Sequence, residues 1–227
     1  MDYIKAVNDK AVAAVNDIKY EGEPSKEQFA VMNRKTKVTV DWHNVLPQPP
    51  ANNSEVTKKE LQILEQMTSS LTQRDIDLVM LVDEEPANVF LPILSDLRIS
   101  FPEELYRKCL YQLDSIVLKL KFNYERPRPF QLAGVHNRVI RVINTATHQT
   151  PAYPSGHVAQ AGICAALLSA LYPEYANKFY GAVESVGVAR MLQGVHYTSD
   201  NDAGMLIAAV VWEDIKYKIV PDLPIKE

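Results

Sequence analysis

Apolar residues recur at helical spacing along nearly the whole chain, and that periodicity points to a helical bundle. Leu105, Cys109, Leu113, Ile116 and Leu120 fall three and four apart, the stripe by which one side of a helix is buried. Ile4, Val7, Ala11, Val15 and Ile18 trace another stripe near the start, and Leu61, Leu64 and Leu71 a third. Ser25 with Gln28, Thr57 with Glu60 and Ser100 with Glu103 have the spacing of capping boxes, so each is expected to open a helix. Ser155 is expected to cap an apolar helix running to Leu171. Pro173 should begin the next helix, with Arg190 near its end before Gly194, and a last helix should run from about Ser199 to about Lys218. The segment KVTVDWHNVLPQPPANNS breaks the period with a brief β-like patch and a Pro-rich turn, and reads as a connection packed on the bundle. The expectation is an all-α, single-domain helical bundle over residues 1–227, with N-terminal helices and that connection in 1–54 and the chemistry carried by helices in 100–218.

Composition narrows the function without naming it. With 47% hydrophobic residues and a formal charge of −4, the 227-residue chain is neither a disordered segment nor a nucleic-acid binder. Its longest apolar runs, 161–168 and 203–212, fall short of the roughly 18 residues that span a bilayer. The first residues lack the apolar core and cleavage site of a secretory signal, so a cytoplasmic location is expected, or a periplasmic or secreted one had a leader been removed. Cys109 and Cys164 lie in apolar segments and read as buried small hydrophobes.

Three short patterns follow one another in the second half. Lys119 precedes Arg126-Pro127 with six residues between; Pro154-Ser155-Gly156-His157 comes next; then Arg190, with His196 six residues on and Asp200 four beyond. Lys121 does not fit the spacing to Arg126. Three cations, a hydroxyl, a glycine amide and two histidines are the parts that phosphoryl transfer needs: charge stabilisation, a nucleophile and a proton donor. Between Arg126 and Pro173 there is no Asp or Glu, a stretch that would attract an anion. His196 and Asp200 are four apart, so one helical turn would bring the carboxylate to the imidazole and fix its tautomer. His157 follows Ser155 and Gly156 at an expected helix N-terminus, where free amides favour a bound phosphate. Arg138, Arg141, His43, His136 and His148 read as surface or structural residues, and Asp202 as solvent-facing or as stabilising a helix N-terminus. His148 and Tyr153 are the candidates to line a leaving-group pocket.

Together, NYERPRPF, YPSGH and GVHYTSDNDAG resemble the phosphatidic-acid-phosphatase type 2 superfamily, which also holds class A non-specific acid phosphatases and vanadium haloperoxidases. The resemblance is nearest to the soluble class A acid phosphatases, and LPQPPANNSEVTKKEL adds to it. It implies metal-independent phosphomonoester hydrolysis, with His196 as the nucleophile that becomes phosphohistidine, Asp200 as its orienting partner and His157 as general acid and then base. Lys119, Arg126, Ser155, Gly156 and Arg190 would bind the phosphate, with no metal and no cofactor. The partner would be a small phosphorylated substrate, with no nucleic acid and no membrane span, and a homo-oligomer left open. Ala189 stands where the family commonly has Ser before the third-motif Arg. Two other readings compete: a haloperoxidase, for which vanadate would be the cofactor, and a catalytically silent oligomeric scaffold.

Overall fold

The computed structural model describes residues 2–145 and 147–221, the side chains of 2, 3 and 6–8 excepted. Among the described residues eleven α-helices follow in order: α1 (Asp2–Asn16), α2 (Lys26–Met32), α3 (Trp42–Val45), α4 (Glu55–Ser69), α5 (Gln73–Glu84), α6 (Leu91–Leu97), α7 (Glu103–Tyr124), α8 (Pro129–Ala133), α9 (Gly156–Leu171), α10 (Ala176–Leu192) and α11 (Thr198–Ile219). No strand occurs among the described residues, so the fold is all-α and the β-like patch expected near Val38 is irregular chain running into the short α3.

Helix α9 is the centre. It is apolar on every side, and Val158, Ala159 and all of Ala161–Leu168 are buried, as a helix wrapped by others must be. It packs against α7, α10 and α11. Cys109 and Cys164 are buried free thiols in this core. A smaller cluster of Leu61, Leu64, Leu132, Ala152 and Tyr197 joins α4 to the loops around the site. Val15 and Ile18 pack on that cluster, Ile4 is exposed, and the side chain of Val7 lies outside the described residues.

Three helix starts differ in detail from the sequence expectation. Ser25 and Gln28 form their capping box, but α4 is capped three residues earlier than expected, by Ser54, whose Oγ accepts from the Thr57 amide. Thr57 is buried and donates to Ala51 O, and Glu60 is committed elsewhere. Helix α7 starts after Pro102, with no side-chain cap from Ser100. A 3-10 turn, Pro173–Tyr175, precedes α10.

Two glycines set the approach of α11 to α9. A Cβ on Gly162 would lie 2.8 Å from Ala208 Cβ, and one on Gly204 would lie 2.5 Å from Ser155 O. The Ser155 amide also donates to Asp200 O at 2.9 Å. The start of α9 is thereby held against the first turns of α11. Gly204→Ala should therefore cost about 1–3 kcal/mol by overpacking, measured as a lower urea midpoint. Gly181→Ala, with nothing within 4 Å of the added carbon, should instead stabilise by roughly 0.5–1 kcal/mol. Equal responses of the two would show that the α9–α11 contact has slack.

Candidate active site

Helix α7 ends at Glu125, which takes a left-handed conformation (φ 50°) and turns the chain into Arg126-Pro127-Arg128-Pro129. The prolines keep this segment out of helix, and its two arginines meet opposite ends of one pair. Arg126 Nη1 donates to Asp200 Oδ1 at 2.6 Å and to Ser199 Oγ at 2.8 Å. Its Nη2 reaches Glu60 Oε2 at 3.2 Å, and its guanidinium lies 3.9 Å from the centre of the Tyr197 ring. Arg128 Nη1 lies 2.9 Å from His196 Nε2 and donates to Val195 O at 2.8 Å, while its Nε donates to Thr150 O.

The His196 tautomer follows from those partners. A guanidinium can only donate, so the Nε2 facing Arg128 is the acceptor and carries the lone pair. The proton sits on Nδ1, which donates to Asp200 Oδ2 at 3.1 Å. Asp200 Oδ2 also accepts from the Tyr197 amide at 3.0 Å. His196 precedes α11, with Tyr197 as N-cap and Asp200 as the third helical residue. The pair thus forms at a helix start, where the expectation was one turn of continuous helix.

A cavity of about 250 Å³ opens beside Nε2, lined among others by Lys121, Arg128, Gly156, His157 and His196. Of the five expected phosphate ligands only Gly156 is among its walls, Ser155 and Arg190 being buried behind them and two others lying elsewhere. Lys119 is exposed, and Arg126 is buried in its ion pairs with Asp200 and Glu60. Lys121 and Arg128 take those places. The segment KLKFNYERPRP holds the same spacing twice, offset by two residues, and α7 turns the second copy inward. Lys121 is 4% exposed and donates to Pro151 O at 2.7 Å and Ala152 O at 3.2 Å. Burial, then Arg128, holds its basicity well below the usual lysine range.

The second and third patterns fall at the same place. Ser155 occupies the N-cap position of α9, but its Oγ makes no capping bond and is buried without a partner. Arg190, in the last turn of α10, pairs through Nη1 with Asp83 Oδ1 at 2.8 Å, while its buried Nε has no partner. Gly194 follows at φ 79°, with Arg141 O 2.6 Å from where a Cβ would be, and turns the chain from α10 toward His196. Ala189 is buried in the core beside Arg190.

Other polar residues serve elsewhere. Tyr153 Oη is spent on Pro47 O, and His148 stacks edge-on against Phe130, so neither lines the cavity. Arg138 pairs with Glu65, Arg141 donates to Ser69 O, and His136 contacts Asn52 O. Asp202 and His43 are exposed. Besides Lys121 and Arg128, sequence reasoning missed Asp83 and Glu60. Asp83 sits in an acidic run at the end of α5, and Glu60 carried the signature of an ordinary cap. Among the described residues no group of three His, Cys, Asp or Glu is placed to hold a metal ion.

Residues 109–217 match the family model described as PAP2 superfamily. This segment belongs to that superfamily. The chain is 34% identical over 87 residues to the non-specific acid phosphatase of Salmonella typhimurium, a match covering 38% of this chain and 34% of that enzyme. It is 32% identical over 79 residues to the lipid A 1-phosphatase of Rhizobium etli, covering 31% of this chain and 34% of that protein. The chain thus spans about a third of the length of the curated relatives it matches. A bacterial vanadium-dependent iodoperoxidase shares the fold, with a TM-score of 0.62 at 15% identity, over 86% of this chain and 60% of that one. The architecture is therefore the all-α one of the PAP2 and haloperoxidase group. No helix among the described residues is long and apolar enough to cross a membrane.

The two lysines give a direct test of which copy of the doubled motif acts. Lys121→Ala should weaken binding of inorganic phosphate by about 10–100-fold, the effect of removing one charged hydrogen-bond donor. Lys119→Ala should stay within about twofold, as an exposed side chain away from the site does. A larger loss in Lys119→Ala would reverse the assignment.

Acid should expose the histidines. Burial, reinforced by cations, holds His157 and His196 well below the usual histidine pKa: Arg190 is the next cause at His157 and Arg128 at His196. Below about pH 6.5 the unfolded chain takes up protons that the folded site refuses, so stability falls with acid, by at most ~1.4 kcal/mol per histidine per pH unit. A bound dianion favours the protonated rings. Protection by sulfate, read as a Tm increase, should therefore grow from about pH 7 to about pH 5. Protection that stays flat or shrinks over that range would contradict this electrostatic account.

Proposed function

We propose that the chain hydrolyses phosphomonoesters without a metal, through a phosphohistidine on His196. The observation that carries this reading is that two of the buried donors without a partner, Ser155 Oγ and Arg190 Nε, lie in the segments that also supply His157 and approach His196. Leaving a buried donor unsatisfied costs about 1–3 kcal/mol, and a tetrahedral oxyanion among Lys121, Arg128 and Arg190 would satisfy both.

His196 Nε2, neutral and with its lone pair toward the cavity, attacks phosphorus. The bond from phosphorus to the ester oxygen breaks, its electron pair stays on that oxygen, and His157 supplies the proton. Arg128 Nη1 transfers its contact from Nε2 to a phosphate oxygen as the new bond forms. Asp200 compensates the positive charge that develops on the imidazole. Water then attacks the phosphohistidine, His157 takes a proton from it, and the phosphorus–nitrogen electron pair returns to Nε2. Each event uses the chain's own groups. Lys121, Arg128, Ser155 Oγ, the Gly156 amide and Arg190 bind the phosphoryl oxygens. Arg126 is a positioning residue that acts through Asp200.

The two histidines separate on an activated ester. With p-nitrophenyl phosphate, whose leaving group needs no proton, His157→Ala should form the phosphoenzyme and then stall. His196→Ala should form none. For an alkyl phosphate, loss of the acid should cost about 10²–10⁴-fold. Rapid-quench trapping of acid-labile phosphohistidine in His157→Ala alone is the expected result, and label in His196→Ala would exchange or remove the roles. The same cradle suits vanadate, so halide oxidation by peroxide with added vanadate, in place of phosphate release, would favour the haloperoxidase reading.

A further inference from the structure

The cavity has a second polar end that phosphate binding does not use. Asp114, Val117, Leu118 and Lys121 lie at i, i+3, i+4 and i+7 on α7, and all four line it. Lys121 stands at the phosphate end. Asp114 is seven residues earlier, about 10 Å along the helix axis at ~1.5 Å per residue. Across from it, His157 and Gln160 line the cavity one turn apart on α9. Gln160 Nε2 donates to Asp114 Oδ1 at 3.0 Å. That bond ties the two side chains together and directs the amide nitrogen inward to the acid. Asp114 Oδ2 and Gln160 Oε1 have no protein donor among the described residues, and neither is a sealed, unpartnered atom. Both remaining atoms are acceptors when the acid is ionised. Val31 and Leu118 supply apolar wall between the ends.

An ester whose phosphate sits at Lys121 and whose leaving oxygen meets His157 must extend its leaving group toward this pair. We infer that Asp114 and Gln160 select leaving groups carrying hydrogen-bond donors a few atoms beyond the ester oxygen, hydroxyl or ammonium, over plain alkyl groups. The inference rests on the phosphatase reading above. Two further features agree with it. A carboxyl at this end disfavours a second phosphate there, by like-charge repulsion in a confined site. Burial, with Glu85, leaves the Asp114 carboxyl above the usual carboxylate range, Gln160 and Arg34 offsetting only part of that, so a donor arriving from the leaving group would supply the hydrogen bond that the ionised form lacks.

The test compares glycerol 3-phosphate, phosphoethanolamine and propyl phosphate, with p-nitrophenyl phosphate as the activated reference. In the unaltered chain, at least one of the first two should exceed propyl phosphate in kcat/KM by about tenfold or more, as a site built to accept hydrogen bonds rejects the analogue lacking the donor. A preference for phosphoethanolamine would assign the donor as ammonium, and a preference for glycerol 3-phosphate as hydroxyl. Asp114→Leu, Asp114→Asn and Gln160→Met should each bring the ratio toward one, with the loss on the preferred ester at least about fivefold larger than on propyl phosphate. Three substitutions keep the result readable if one variant fails to fold, which a thermal melt reveals. Equal use of all three esters by the unaltered chain, or proportional losses on every ester in the folded variants, would overturn the inference while leaving the phosphatase reading intact. No release of nitrophenol by the unaltered chain would remove both.

Discussion

Asp200 is fully buried, and its burial is tolerable because Arg126 Nη1, the Tyr197 amide and the His196 ring all donate to it. Arg126, almost as deeply buried, is matched in turn by Glu60. Removing one member of such a set strands the others, at about 3–5 kcal/mol for a broken buried pair. The network also determines geometry. Glu60 Oε1 accepts the Ser199 amide at 2.7 Å, so a carboxylate from α4 satisfies the N-terminus of α11. One ionic cluster thereby joins α4, the loop after α7 and the start of α11, and it fixes the direction of the His196 lone pair.

What the sequence made legible is mostly local. The apolar stripe of α7, the N-cap position of Ser155, the place of Arg190 at the end of α10 and the pairing of His196 with Asp200 all follow from neighbours within one or two turns. Asp83 and Glu60 were illegible because their partners are remote: Arg190 lies 107 residues from Asp83, and Ser199 lies 139 from Glu60. A carboxylate at a helix end carries no mark that distinguishes a solvated acid from one that meets a buried arginine. Glu60 shows the hazard plainly, because its spacing from Thr57 satisfied a local rule while the tertiary contact used the side chain otherwise.

The doubled motif is a different kind of failure. Lys119 with Arg126 and Lys121 with Arg128 have identical separation, so spacing alone cannot choose between them. Helical phase against the apolar stripe does not choose the right one either, because Lys119 is the nearer of the two to its centre. Lys121 continues the rows of Asp114, Val117 and Leu118, whereas Lys119 projects beside the buried stripe into solvent. Those rows are separate from the Leu105–Leu120 stripe, so the stripe that announced the helix did not mark which lysine turns inward. Fixing the register on Arg126 first made Lys121 look displaced, when the displaced member was Arg126 itself.

The two arginines of that loop show how burial separates a structural cation from one prepared for a ligand. Both are desolvated, which disfavours their charge. At Arg126 the attraction of Asp200, Tyr197 and Glu60 outweighs burial, and its basicity rises above the ordinary value. At Arg128 burial wins, Arg190 adds repulsion, and the basicity is drawn down to about 9. Its hydrogen bonds go to neutral acceptors, Thr150 O, Thr150 Oγ1, Val195 O and His196 Nε2, which orient the guanidinium without cancelling its charge. Lys121 is in the same condition, bonded to two carbonyls and repelled by Arg128. Positive charge held in place by neutral partners in a buried cavity is electrostatic work stored for an incoming anion. Arg126, already neutralised, has none left to give, and so its contribution reaches the cavity only through the histidine that it helps to hold.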